Sequence, residues 1–278
     1  MTPDIFIIVL SAAFMHAAWN AIVKGAGDRT VIFGLVATGH TVPALIVAPF
    51  VPLPPVEAVP YIIVSTLVHW GYYFFLNASY RYGDLSLVYP VARGVTPLLV
   101  AVTALVFLGE SLPAEGWAGL FCISVGILIL AVRRHDTRQL PMALAMALAT
   151  GATIASYSLI DGVGVRLAPQ ALSYIVWLFI AEGLVVIYIF GSRTARLRAL
   201  GRRQVVIGLV GGVLSAFAYA LVLYAKTKAP IGMVSALRET SVIFAAMIGL
   251  FWFGEGPVRA RLTAALVVAG GIVLLATA

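Results

Sequence analysis

The chain has 278 residues, 62% of them hydrophobic and only 10% charged, where a soluble domain carries roughly 25% charged residues; the excess apolar surface has to face lipid. The formal net charge of +7 does not signal a nucleic-acid partner, because the basic residues sit in short clusters between apolar runs, as they do in the cytoplasmic loops of membrane proteins. The single cysteine, Cys122, excludes an internal disulfide framework and a cysteine-rich metal site.

A membrane span needs about 20 mostly apolar residues, and its backbone must be helical, since an open sheet edge cannot be satisfied in lipid. Met1-Thr2-Pro3-Asp4 has no basic cluster and the apolar run from Ile5 is long, so the first segment reads as a retained span rather than a cleaved signal. Span 1 (3–23) carries His16, Trp19 and Asn20, with Lys24 just beyond, at helical spacing, and ends at Gly25-Ala26-Gly27-Asp28. Span 2 (31–52) contains His40 and ends at Pro52-Leu53-Pro54-Pro55. Span 3 (59–80) places His69, Tyr72, Tyr73, Asn77 and Tyr80 along one face. Span 4 (85–108) has Tyr89, Arg93 and Thr96 on one face, and Pro90 and Pro97 inside it, each removing a helical hydrogen bond.

Span 5 (113–132) is apolar around Cys122, and span 6 (141–160) leads Thr153 and Tyr157 toward Asp161 at its end. Span 7 (170–191) holds Glu182, and span 8 (204–225) holds Gly208 and Gly212, a spacing that permits close helix packing. Span 9 (230–253) contains the adjacent pair Arg238 and Glu239, whose side chains are expected to diverge by about 100°, and span 10 (257–277) completes the chain. The expected fold is all-α integral membrane, one transmembrane domain of ten spans with no soluble appendage.

The loops alternate between the two faces of the membrane. Those after odd-numbered spans carry thirteen basic residues, from Lys24 and Arg29 to Arg259 and Arg261, against three (Arg166, Lys226 and Lys228) on the other side. The positive-inside rule then puts the odd loops in the cytoplasm and both termini outside.

A shift of 145 residues aligns the chain with itself without gaps, carrying Leu76–Glu110 onto Leu221–Glu255, Arg93 onto Arg238, Gly109-Glu110 onto Gly254-Glu255 and Gly126-Ile127 onto Gly271-Ile272. Residues 1–137 and 138–278 then read as two copies of a five-span unit. Five is odd, so the second copy is inverted relative to the first, a pattern of secondary transporters whose site lies at the midplane between the copies.

Leu108-Gly109-Glu110 and Phe253-Gly254-Glu255 close the fourth span of each copy, and together with Tyr82-Gly83-Asp84-Leu85-Ser86-Leu87-Val88-Tyr89-Pro90 and Ser235-Ala236-Leu237-Arg238-Glu239-Thr240 they resemble the EamA branch of the drug/metabolite transporter superfamily over the whole chain. The resemblance implies a basket of helices around a central cavity lined mainly by spans 1, 3, 4, 6, 8 and 9, with span 7 peripheral, and ATP-independent export or exchange of a solute. It also implies cytoplasmic termini, opposite to the charge count. The expected location is the cell (inner) membrane.

Ionisable groups inside a bilayer are costly and therefore functional candidates. Arg93 and Arg238 stand about eight residues into spans 4 and 9, whose starts lie on opposite faces, so both can reach the midplane. A guanidinium binds carboxylate or phosphate through two parallel hydrogen bonds, which points to an anionic or zwitterionic metabolite such as an amino acid. Trp19, Asn20, Tyr72, Tyr73, Asn77, Tyr89 and Tyr157 are the candidate wall for the body of the solute, and Glu239 for an ammonium group. His69 and Glu239 are candidates for proton coupling, the proton being the coupling ion considered. Glu182 reads as a structural tie, and Glu110 and Glu255 as helix-start carboxylates suited to the dipole.

Export of organic cations through Glu239 and the aromatic face is the alternative within transport. An intramembrane enzyme is the alternative outside it, but there is no Gly-x-Ser-x-Gly elbow, His-Glu-x-x-His zinc motif or Asp-rich diphosphate motif. No cofactor is expected. The partners expected are a small solute and the bilayer, with a single copy sufficient to complete the cavity.

Overall fold

A computed structural model describes the chain except for residues 25–27, 83–84, 132–139, 253 and 255–257, and except for the side chains of Arg29, Tyr73, Asn77, Tyr80, Leu85 and Ser86. The described residues form thirteen α-helices and no strand: α1 (Pro3–Val23), α2 (Arg29–Val47), α3 (Val59–Tyr82), α4 (Leu85–Leu108), α5 (Ala114–Ile129), α6 (Leu140–Leu167), α7 (Ala171–Glu182), α8 (Leu184–Ser192), α9 (Thr194–Arg198), α10 (Arg202–Lys226), α11 (Ile231–Glu239), α12 (Ser241–Phe251) and α13 (Val258–Thr277). Short 3-10 turns at Ala48–Phe50 and Val56–Ala58 flank the loop between α2 and α3. Nine of the described segments are long and apolar enough to cross a membrane, and α5, with 16 residues, is a shorter apolar tenth. The protein is a multi-pass helical membrane protein.

The span limits read from the sequence fall within a few residues of these helices, with three instructive departures. The α6 helix continues to Leu167, past the expected end near Asp161, because that carboxylate is satisfied inside the bundle and does not have to reach water. Span 7 is broken at Gly183, between α7 and α8. Here a Cβ would stand 2.6 Å from Thr41 Cγ2, so glycine lets α2 come close, and Thr41 Oγ1 donates to the Phe179 carbonyl at 3.2 Å. Span 9 is broken at Thr240, between α11 and α12, where the Thr240 hydroxyl and amide both turn back to the Leu237 carbonyl, at 2.6 and 3.3 Å. Neither break involves a proline.

The helices pair across the bundle: α3 and α4 against α6, α1 against α10 and against α11–α12, α2 against α7–α8 and α10, α4 against α11, and α5 against α13. In α10, Gly208 abuts the Leu35 side chain and Gly212 the Val36 carbonyl of α2, the close packing expected of small residues. At the α5–α13 contact, a Cβ on Gly126 would lie 3.1 Å from the Ala264 carbonyl, and one on Gly271 2.8 Å from the Gly119 carbonyl. Gly109 and Gly254, which follow the fourth and ninth spans, have φ of 67° and 64°, the positive values among the described residues. Both positions favour glycine as a helix C-terminal residue.

The Asp28 carboxylate starts α2 by accepting from Thr30 N at 3.0 Å and Val31 N at 3.3 Å, and it also pairs with Arg196 at 3.0 Å. Partial burial pushes this carboxyl up, but the bonds from Val31, Arg196 and Thr30 outweigh it and hold the pKa below the ordinary carboxylate value.

Candidate functional site

A cavity of about 110 Å³ lies in the middle of the bundle, walled by residues of α1, α2, α3, α4, α6, α7, α10 and α11, with room for several waters or one small solute. A second cavity of about 30 Å³ shares His40, His69 and Glu182 with it. The wall includes α2 and α7; the resemblance places span 7 at the periphery and does not count span 2 among the main lining spans.

Arg93 from α4 donates through Nη1 to both carboxylate oxygens of Glu239, at 3.0 Å each. Side-chain exposure is 6% for Arg93 and 1% for Glu239, so the pair is desolvated and strongly dependent on both partners. Arg238 Nη1 stands 3.8 Å from the same carboxylate, so the adjacent side chains converge rather than diverge. The 100° step separates the two Cα–Cβ directions, but side chains as long as arginine and glutamate can bring their tips together across it. Arg238 Cζ lies 5.3 Å over the ring of Tyr219, and Arg93 Cζ 5.5 Å over that of Tyr89, both within cation–π range. Two guanidiniums thus flank one carboxylate.

His16 Nε2 lies 3.1 Å from Arg93 Nη2, and the Trp19 indole nitrogen 3.3 Å from His16 Nδ1. Guanidinium and indole only donate, and a neutral imidazole accepts at one nitrogen. His16 thus has one acceptor to share between the Arg93 guanidinium and the Trp19 N–H, and Trp19 lines the cavity.

On the opposite wall, Glu182 stands at the end of α7 with His40 Nδ1 at 3.7 Å and His69 Nε2 at 3.5 Å. The His69 ring stacks on Tyr157, with centroids 4.0 Å apart and planes at 24°. Asp161, 0% exposed, accepts from the Tyr174 hydroxyl at 2.9 Å and from the Tyr219 hydroxyl, which corrects its reading as an interfacial residue at a helix end. Tyr219 thereby joins Asp161 on one side to Arg238 on the other.

At one end of the bundle, Arg166 at the foot of α6 donates to the carbonyls of Lys226 at 2.7 Å and Ala229 at 2.9 Å, and pairs with Glu110. The other Glu110 oxygen accepts from Ile231 N at 2.7 Å. Glu110 thus meets the N-terminus of α11 and not that of the next helix, α5, as the sequence suggested. Lys226, also 0% exposed, donates from Nζ to the Ser158 carbonyl at 2.7 Å; it is a buried tie between α10 and α6, not a loop charge.

Of the residues singled out from the sequence, Arg93, Arg238, Trp19, Tyr72, Tyr157 and His69 line the cavity. Glu239 lies behind the two arginines, held by Arg93. Tyr89 sits on Arg93 and packs beside the α5–α13 core, away from the cavity wall. Asn20 is corrected: its amide donates back to the His16 carbonyl at 2.7 Å and does not line the cavity. The side chains of Tyr73 and Asn77 lie outside the described residues. Glu182, read from the sequence as a structural tie, stands on the wall, and Ser215 and Tyr219 of α10 are what the sequence reading missed. The four-residue step from Ser215 to Tyr219 and on toward Val222 was their visible signal. Among the described residues no cluster has the makings of a metal site.

No protein-family profile and no curated protein sequence matches the chain. Comparison of folds is positive: the chain superimposes on a crystal structure with a TM-score of 0.78, over 99% of this chain and 96% of the other, at 13% sequence identity. At that identity the likeness establishes a fold shared with known structures.

Proposed function

We propose that the chain is a secondary transporter of the drug/metabolite type, of the EamA branch it resembles, which carries a small zwitterionic or anionic metabolite such as an amino acid by alternating access across the cell membrane. The observation that carries this reading is the charge balance at the α4–α11 contact. Two buried guanidiniums face one carboxylate, and Arg93 holds both of its oxygens, so Arg238 is left at the cavity with no carboxylate oxygen nearer than 3.8 Å. A buried ionised group without a close partner is costly, and a solute carboxylate would supply one through charge-assisted hydrogen bonds from Arg238. The rings of Trp19, Tyr72 and Tyr157, which line the cavity, supply the rest of the contact. Export of organic cations fits less well, because Glu239, the carboxylate it requires, is already held by Arg93 through both oxygens.

The inverted-repeat reading has support of its own. Exchanging each of the first five spans for its counterpart five later carries the α3–α6 contact onto α10–α1, the α4–α6 contact onto α11/α12–α1, and the α5–α13 and α4–α11 contacts onto themselves. The 145-residue shift also carries the Gly126–Ala264 approach onto Gly271–Gly119, and the positive-φ Gly109 onto Gly254. Broken helices beside a central site are a recurrent transporter device, and the breaks at Gly183 and Thr240 each follow within two residues of a cavity-lining residue, Glu182 and Arg238.

The direct test is the melting midpoint of the purified protein against ligands sorted by charge. Neutral L-amino acids and dicarboxylates are expected to raise it while tetraethylammonium does not, since a ligand bound only by the folded state stabilises that state. Stabilisation by tetraethylammonium alone would replace the proposal with the cation reading.

A further inference from the structure

The second wall of the cavity carries a group that solute binding leaves unused. The Glu182 carboxylate lies between His69 Nε2, 3.5 Å from Oε1, and His40 Nδ1, 3.7 Å from Oε2. The three residues come from α7, α3 and α2, and all three line the cavity.

His69 Nδ1 is 2.9 Å from the main-chain oxygen of Ser65 and 3.3 Å from the Ser65 hydroxyl. The shorter contact is to a carbonyl, which only accepts, and it is made when Nδ1 carries a hydrogen. In a neutral His69, Nε2 would then turn a lone pair toward the carboxylate, a repulsive contact. The approach is attractive only when one further proton resides between Nε2 and Glu182. His40 does not supply it: its Nε2 is buried without a partner, which the ring tolerates best with Nε2 unprotonated and the Nδ1 edge, 3.7 Å away, turned to Glu182. The other titratable or charged groups turned toward this site are Tyr157 and Asp161 of α6, Tyr219 of α10 and Tyr174 of α7. Asp161 is occupied by the hydroxyls of Tyr174 and Tyr219.

The site communicates with the solute through one aromatic layer. His69 stacks on Tyr157, whose ring is 6.1 Å from that of Tyr72 and 6.3 Å from that of Tyr219. Tyr219 in turn lies under Arg238. Taking the two walls together, Arg93 and Arg238 are balanced by Glu239 and Glu182, and the cavity is neutral. With the extra proton it is positive by one, the complement of a single carboxylate.

We propose that Glu182, His69 and His40 form a proton-binding site whose loading accompanies solute binding, so that the chain moves one proton and its solute in the same direction. The inference rests on the reading of the chain as a carrier of a zwitterionic or anionic solute.

The test uses the full chain in liposomes, with a labelled mixture of L-amino acids and the membrane potential clamped at zero. At equal pH on both sides, counterflow reports the carrier alone. With acid outside, the wild type is expected to accumulate label about tenfold per pH unit at one-to-one coupling, and a protonophore should abolish this. Glu182→Gln, which holds the site at its loaded charge, is expected to lower the ratio of acid-driven accumulation to counterflow to that of an uncoupled carrier. Counterflow without acid-driven accumulation in the wild type, accumulation driven in the opposite direction, or an undiminished ratio in Glu182→Gln would overturn the proton site and leave the carrier reading intact. Absent counterflow would count against the carrier reading instead. The proton site is then decided without solute, by proton uptake of the purified protein on acidification: about one proton fewer in Glu182→Gln than in the wild type supports it, and equal uptake overturns it.

Discussion

Arg93 and Glu239, 146 positions apart in sequence, meet through one guanidinium nitrogen and both carboxylate oxygens at 3.0 Å. The bond joins the fourth and ninth spans and is almost wholly desolvated. Breaking a buried pair from one side strands the other charge, at a cost of about 3–5 kcal/mol. Glu239→Ala strands two guanidiniums and is expected to destabilise by at least that much. The double variant Arg93→Leu/Glu239→Leu should recover most of the stability, because it strands only Arg238, as the wild type does without solute. Melting midpoints of the three proteins, measured in one detergent, check the order wild type, double variant, single variant.

Arg238 differs from Arg93 in lacking a close carboxylate, the nearest approach to Glu239 being 3.8 Å. Arg238→Leu is therefore expected to be milder for stability than Arg93→Leu and severe for solute binding. Loss of a charge-assisted hydrogen bond of about 1.5–3 kcal/mol corresponds to roughly ten- to hundredfold weaker affinity. Calorimetric titration with a ligand found by the melting screen measures it.

Much of the architecture was legible in the sequence. The apolar runs specify where the chain crosses, because a helix in lipid has no other way to satisfy its backbone. The two-copy reading rests on Arg93 and Arg238, since shared charge at one offset is rare in apolar sequence. The wall position of Glu182 was not legible. Its neighbours from 171 to 190 are almost all apolar, and only folding brings His40 from α2 and His69 from α3 to either side of it. The breaks at Gly183 and Thr240 were also hidden, because neither carries a proline; the first depends on the approach of α2 and the second on a local hydroxyl. Asn20 misled for the opposite reason. Its spacing puts it on the same face as His16, but its amide prefers the carbonyl of its own helix.

The α5–α13 interface offers a test of the two-copy arrangement. Gly126→Val would place carbon 2.6 Å from Val268 Cγ2 and 3.1 Å from the Ala264 carbonyl; Gly271→Val would meet the Gly119 carbonyl at 2.8 Å. Overpacking of this kind costs about 1–3 kcal/mol, and the two substitutions are expected to lower the melting midpoint by similar amounts. Gly270→Val, whose added carbon meets nothing within 4 Å, should leave it nearly unchanged.

Glu110 ties α4 to Arg166 of α6 and to the first amide of α11. Glu110→Ala removes both bonds and is expected to cost about 1–3 kcal/mol. Glu110→Gln keeps an acceptor for Ile231 N and should cost less. Chemical denaturation in mixed micelles separates the two.

Asp28 supplies a pH signature outside the bilayer. Its folded pKa is depressed, so its stabilisation is fully present above the unfolded carboxylate value and is lost as the pH falls through the folded one. Replacing an N-cap aspartate by alanine costs about 0.5–2 kcal/mol. Asp28→Ala should show that deficit at neutral pH, and the gap from wild type should close in acid below the ordinary carboxylate range. Melting midpoints across that interval report it.

The central claim is that Arg238, the buried guanidinium whose nearest approach to Glu239 is 3.8 Å, makes this bundle a carrier of solutes bearing a carboxylate. Counterflow in liposomes measures it most directly. Vesicles holding the protein and loaded with unlabelled L-amino acids should transiently concentrate external labelled L-amino acids, with Arg238→Leu inactive and excess tetraethylammonium without effect. Counterflow of labelled tetraethylammonium, undiminished in Arg238→Leu and with amino acids inert, would contradict it.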